Sequence, residues 1–395
     1  NGGIDLNFLN NRVEFILDAY IKKTRNLLLQ RDYPGYMGTS GNGSASAQWA
    51  NIGSMENKGF EFTLNTVNIS NRDFQWRTNI TFSLNRNKVV SMNSENAFID
   101  KSYQSGGQTD IITRTAVGQS VSQFYGYKAI GRINSASDYL IDNGDGTSTV
   151  KIATPVLRVG DQVVNSGTGK GSLVRQIYVG DYIYEDLNND GVIDAKDQTF
   201  LGSPLPKFTY GINNTFKYKN FDLTIFLYGS YGNKAMNYLF RRITNPNSSG
   251  NVHKIVANHA RLGYLDGNSE NTDVWNMYIL PGSNDLCRMS INDANDNDRI
   301  SSRYVEDASF LRLQNIVLGY TLPRKWLKKL KIENVRIYTN LKNVYTFTGY
   351  RSHDPEIGST QGQYSYSGQS MLMYGVDTGR CPSPRIYTFG VDLTF

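Results

Sequence analysis

Along stretch after stretch of this chain every second residue is apolar, and no apolar run approaches the length of a membrane-spanning helix. In 74–85 one set reads Phe74, Trp76, Thr78, Ile80, Phe82 and Leu84, while the intervening set reads Gln75, Arg77, Asn79, Thr81, Ser83 and Asn85. Residues 207–219 repeat the pattern with Phe208, Tyr210, Ile212, Phe216 and Tyr218 on one side. In 221–231, Phe221, Leu223, Ile225 and Leu227 alternate with Asp222, Thr224, Phe226 and Tyr228. In 387–395, Tyr387, Phe389, Val391, Leu393 and Phe395 alternate with Thr388, Gly390, Asp392 and Thr394. A period of two is that of a β-strand whose two faces meet different surroundings. Further strands are predicted over 4–9, 13–22, 59–69, 310–322 and 335–348, nine in all. The alternation slips near Asn315, which predicts a bulge there.

Alternation alone also describes a soluble sandwich. The connections separate the two. Residues 10–11, 70–73 and 219–220 are tight turns and 323–333 a modest one, whereas 27–57, 87–204, 233–305 and 350–384 are long. A sandwich has no reason to put every long connection at one end, but an outer-membrane barrel does, with short periplasmic turns and long extracellular loops. This reading predicts an all-β fold, a transmembrane antiparallel β-barrel wall of about nine strands. The last strand would run inward and finish with Phe395 at the periplasmic rim. Nine strands cannot hide both sheet edges in a bilayer. An odd number, and a start at Asn1-Gly2-Gly3-Ile4 in mid-pattern without a signal peptide, imply that earlier strands lie outside this chain. With 26 Tyr and 18 Phe, most rings are expected to face lipid or form interfacial girdles. The net charge of +6 is mild, and no dense basic patch with interleaved aromatics appears, which excludes nucleic acid as a partner.

An ordered series of short motifs runs through the same residues. Asn57-Lys58-Gly59-Phe60-Glu61 precedes Phe74-Gln75-Trp76; Gly180-Asp181-Tyr182 precedes 186–194; then come 202–206, Tyr210-Gly211, 301–307, 309–315, Leu318-Gly319-Tyr320, 343–346, Gly349-Tyr350 and Asp354-Pro355-Glu356. In this order they resemble the C-terminal barrel of SusC/RagA-type TonB-dependent outer-membrane transporters, over essentially all of 1–395. The resemblance implies a 22-stranded barrel of which this chain supplies about nine C-terminal strands, with the plug and N-terminal strands elsewhere. It implies residence in the cell outer membrane and TonB-energised uptake of oligosaccharides or peptides. The implied partners are the rest of the barrel and plug, a SusD-like surface lipoprotein lid, outer-membrane lipid, and the TonB–ExbB–ExbD system through the missing N-terminal region. The alternative is a soluble, calcium-stabilised, β-rich glycan-binding module.

Within the extracellular loop region expected at 87–204, residues 186–197 match calcium-loop spacing. Asp186, Asn188, Asp190, the Val192 carbonyl, Asp194 and Asp197 would be the ligands, with Gly191 at the sharp turn. A structural Ca2+ is expected; an Asp/Asn/Gly turn held by its own side-chain hydrogen bonds is the bland reading. A second extracellular loop is expected at 233–305. Gly167-Thr168-Gly169-Lys170-Gly171-Ser172 lacks phosphate-loop spacing and reads as a loop tip. The basic turn 326–331 is expected to be solvated, with lipid headgroups the less favoured contact. His253, His259 and His353 read as surface residues, and Cys287 and Cys381 as either a disulfide or two free thiols. No catalytic constellation appears, so no enzyme is expected, and the substrate-binding residues are not legible.

Overall fold

A computed structural model describes residues 1–31, 48–92, 94–95, 97–105, 108–155, 157–159, 162–164, 177–246, 250–271, 273–290, 293, 295–327, 332–359 and 372–395. Its main element is one nine-stranded antiparallel sheet. The strands are β1 (Gly2–Phe8), β2 (Val13–Arg31), β3 (Gln48–Ser70), β4 (Phe74–Ser91), β5 (Phe208–Tyr218), β6 (Phe221–Tyr231), β7 (Phe310–Thr321), β8 (Asn334–Thr348) and β9 (Ile386–Thr394). They are hydrogen-bonded in chain order, each to the next, so every connection joins neighbours and β1 and β9 are the sheet's two edges.

The register shows why the alternation is so regular. Across β3 to β6, Leu64 lies opposite Ile80, Ile80 opposite Ile212 and Ile212 opposite Leu227. Further along, Leu223 faces Leu318, Tyr320 faces Ile337 and Ile337 faces Val391. One face is therefore apolar from edge to edge, with ring pairs such as Phe82–Phe208 at 5.2 Å and Phe208–Tyr231 at 4.9 Å. Over most of its width this face is open among the described residues: Leu318, Ile337 and Val391 are 45%, 50% and 57% exposed. β5 and β6, of 11 residues each, are the length of a tilted spanning strand whose apolar band stands about 25 Å tall. The expected bulge is present, with Phe226 pairing Asn315 and Leu227 pairing Leu313, so that Gln314 is passed over.

On the opposite face tyrosine rings lie flat across glycines of the neighbouring strand. Tyr20 pairs with Gly59 and Tyr338 with Gly390, and a Cβ added to either glycine would sit 2.4 Å from the ring. Only glycine leaves room for that contact, which covers the backbone that glycine would otherwise expose.

Two expectations need correction. The region 27–57 is not one long connection, because β2 continues to Arg31 and β3 begins at Gln48. The alternation is lost there because Lys22, Lys23, Thr24 and Arg25 stand beyond the apolar band, where both faces meet water, and Asn26 (φ 57°) breaks the register. Likewise β4 runs through Asn87 to Ser91. The long insertions are also more ordered than loops. Segments following β4, β6 and β8 fold together into a layer with its own core. Ile112 and Phe124 come from the first insertion, Met236 and Ile300 from the second and Val376 from the third. A four-stranded sheet (Phe98–Ser105, Gln108–Ala116, Gln123–Tyr127 and Gln198–Gly202) and the helix Tyr238–Ile243 belong to this layer. All three insertions leave the wall at the same rim. The tight turns all lie at the other.

Candidate functional site

The polar face of the wall and the layer above it carry the groups able to meet a solute. Cross-strand neighbours are joined by amides and carboxylates: Asn65 Nδ2 donates to Glu14 Oε2 at 2.8 Å, and Asn79 Nδ2 donates to Asn65 Oδ1 at 2.6 Å. Near the turn rim, Arg336 donates to both oxygens of Asp222 (2.6 and 3.0 Å) and to Asp392 at 3.3 Å. Near the other rim Arg312, buried on the same face, reaches Asp354 at 2.6 Å, Glu356 at 2.8 Å and Thr346 Oγ1 at 3.0 Å. That set ties the third insertion to the wall. This face carries amides, hydroxyls and paired charges, as the polar interior of a barrel does.

The loop 186–197 is a tight turn whose oxygens are already engaged. Asp186 accepts from the backbone N–H groups of Asn189 (2.7 Å) and Gly191 (2.8 Å). Asn188 accepts from Asp190, and Asp190 from Val192, each at 3.0 Å. Asp194 accepts from Lys196 at 2.7 Å. Asp197 is fully buried and accepts from Leu187 at 2.9 Å and from Asp194 at 2.8 Å. The Lys196 ammonium stands 3.6 Å from Asp190 and 3.7 Å from Asp194. The spacing thus brings all six candidate residues into one turn, in which side-chain oxygens of Asp186, Asn188, Asp190, Asp194 and Asp197 bond the turn's own backbone and Asn188 Nδ2 donates to Asp190 Oδ2 at 2.8 Å. Among the described residues no group of three or more His, Cys, Asp or Glu is arranged to hold a metal ion.

A buried polar network in the layer was not legible as a site. Asp181, with no exposed surface, accepts from Arg288 at 2.7 Å, Asn297 at 3.0 Å and the Tyr178 N–H at 2.8 Å. Burial raises its carboxyl pKa, opposed by the Arg288 charge. Arg241, on the helix Tyr238–Ile243, bridges Asp110 (2.7 Å) of the first insertion and Asp298 (3.2 Å) of the second. Burial pushes the Asp298 carboxyl up to about 7 against the Arg241 charge. Arg299 lies between the rings of Tyr127 and Tyr184, 4.7 and 4.6 Å from their centroids. Gly180-Asp181-Tyr182 was a visible signal, but its partners are more than 100 residues away in sequence.

His253 caps a short helix by accepting from the Ile255 N–H at 3.2 Å, and His259 Nδ1 lies 2.8 Å from the Val256 carbonyl. Both cysteines are free, Cys287 buried and Cys381 exposed. The segment 167–172 and residues 328–331 of the basic turn lie outside the described residues.

No protein-family model matches the chain. Individual relatives do. It is 32% identical to TonB-dependent receptor P3 of Formosa agariphila over 100% of this chain and 33% of that protein. It is 24% identical to TonB-dependent receptor SusC of Bacteroides thetaiotaomicron, over 100% of this chain and 31% of that one. From end to end the chain is similar to TonB-dependent receptors, SusC among them. Among solved structures, that of the RagAB peptide transporter superposes on 100% of this chain and 34% of its own with a TM-score of 0.64 at 20% identity, a likeness of fold. The nine strands are accordingly transmembrane wall in the outer membrane, with the exposed apolar face to lipid. A soluble glycan-binding module would not leave such a face uncovered across nine strands. These relatives are receptors and not enzymes. The chain spans about a third of the length of the curated relatives it matches.

Proposed function

We propose that this chain forms part of the wall and the extracellular loop layer of an importer for large nutrients, oligosaccharides or peptides, energised through TonB. The supporting observation is the pairing of an uninterrupted apolar face with a hydrogen-bonded polar face, in a chain matched end to end by TonB-dependent receptors. On this reading β1 and β9 pair with the remaining barrel strands, since unpaired backbone in a bilayer costs several kcal/mol per group. A plug closes the lumen and contacts TonB, and a SusD-like lipoprotein covers the loop layer, whose three insertions pack into one body at that rim. Bacteria lacking the complete receptor, offered glycan or peptide mixtures, should stop depleting at least one component, and the receptor gene should restore depletion only in a TonB-competent strain. Depletion that ignores the loss of both receptor and TonB would rule the reading out.

We also propose that 186–197 binds one structural Ca2+ on the extracellular side. Carboxylate oxygens carry spare lone pairs beyond the turn's own bonds, and four carboxylates within twelve residues repel one another. Titration calorimetry of the complete receptor should show calcium binding with a Kd of about 0.1–1 mM, as in extracellular modules. Asp186→Asn should abolish it. Identical heats from the parent and the variant would leave only the self-bonded turn.

A further inference from the structure

The turn at 323–333 differs from the others at its rim. It is longer, it holds a short helix (Arg324–Leu327), and five of its residues are basic (Arg324, Lys325, Lys328, Lys329 and Lys331) against one acid, Glu333. The helix packs against the start of β8. Val335 belongs to the apolar face, opposite Leu393, yet only 7% of it is exposed, whereas Ile337 and Leu393 on that face are half exposed. Leu327 is buried to the same degree as Val335, and Trp326 beside it is 64% exposed. The helix thus stands beside the strand end at which the apolar face is covered, its Leu327 buried and its indole exposed at the end of the apolar band.

The surroundings are of one chemical kind. Phe221 and Tyr218 are exposed at the next turn, with the Lys219 ammonium 5.5 Å above the Tyr218 ring. Phe395 is exposed beside Thr394, whose carbonyl accepts from the Glu333 N–H at 2.8 Å. An indole with an apolar body and one N–H favours the boundary between hydrocarbon and water. Arginine and lysine stems can lie along apolar surface while their charges stay in the wet layer. The charge complement found at that depth is the headgroup phosphate of a phospholipid.

We propose that Arg324, Lys325 and Trp326 form an interfacial anchor that seats against anionic phospholipid headgroups at the turn rim. The inference rests on the placement of the wall in the membrane, and its test keeps the two apart. The complete receptor is placed in nanodiscs holding brominated phosphatidylglycerol, or brominated phosphatidylcholine at the same mole fraction. Trp326 is read as the difference between the parent and Trp326→Phe, and Trp76, within the apolar face, as the difference between the parent and Trp76→Phe. Both residues should be quenched. Trp326 quenching should be about twofold stronger with the anionic lipid, and the ratio should fall to about one in Arg324→Gln/Lys325→Gln. Quenching of Trp76 without Trp326, or equal quenching of Trp326 by the two lipids, overturns the anchor alone. Failure to quench Trp76 overturns the membrane placement and the anchor with it.

Discussion

Arginine in place of Ile225 should destabilise the folded wall by about 2–4 kcal/mol, the cost of a cation on the lipid face near the membrane midplane. Arginine one residue earlier, in place of Thr224, should cost far less. Ile225 sits mid-strand in β6 with Asn214 and Ile316 as its register partners, on the face that carries Leu223 and Leu227. Thr224 lies between Thr215 and Val317 on the face that carries Asp222 and Arg336. Urea unfolding of the complete receptor in vesicles reads the difference as a shift in midpoint. Equal shifts, or a larger one for Thr224→Arg, would mean that the faces have been assigned the wrong way round.

Arg312→Met should release the third insertion from the wall, at a cost of about 3–5 kcal/mol for removing one partner of a buried ion pair. The guanidinium is 3% exposed and satisfies two carboxylates. Asp354 passes the constraint on, accepting from the Glu356 N–H at 3.0 Å and the Ser383 N–H at 3.1 Å. Amide hydrogen exchange should speed up in 350–359 while β5 and β6 stay protected. Adding Asp354→Asn and Glu356→Gln to Arg312→Met should recover much of the loss, because the stranded charges are the larger part of it. Unchanged exchange in 350–359 would show that the insertion is held elsewhere.

What could be read from sequence tracks where the solvent enforces a pattern. β6 matches its expected limits of 221 and 231, because lipid on one side and water on the other permit no other alternation. The Asn315 slip was visible for the same reason, since one extra residue moves every later side chain to the other face. Above the band that constraint ends. Lys22 to Arg31 and Gln48 to Lys58 form strand without a period of two, held by pairing with each other and, from Ser54 to Lys58, with the end of β4. The core of the loop layer was hidden for a different reason: Ile112, Met236 and Val376 meet only after three insertions converge, and none has a periodic neighbourhood. At 186–197 the spacing of oxygens was legible, but the commitment of both Asp197 oxygens to backbone N–H groups was not.

With lipid on one face of this sheet and a polar lumen on the other, a spin-label scan along β6 should read two different environments in alternation. Labels at Leu223, Thr224, Ile225, Phe226 and Leu227, each introduced into the complete receptor with Cys287 and Cys381 replaced, report collision with oxygen and with a water-soluble nickel chelate. High oxygen and low nickel accessibility are expected at Leu223, Ile225 and Leu227, and the reverse at Thr224 and Phe226. Low accessibility to both reagents at Leu223, Ile225 and Leu227, as inside a two-sheet soluble core, would contradict it.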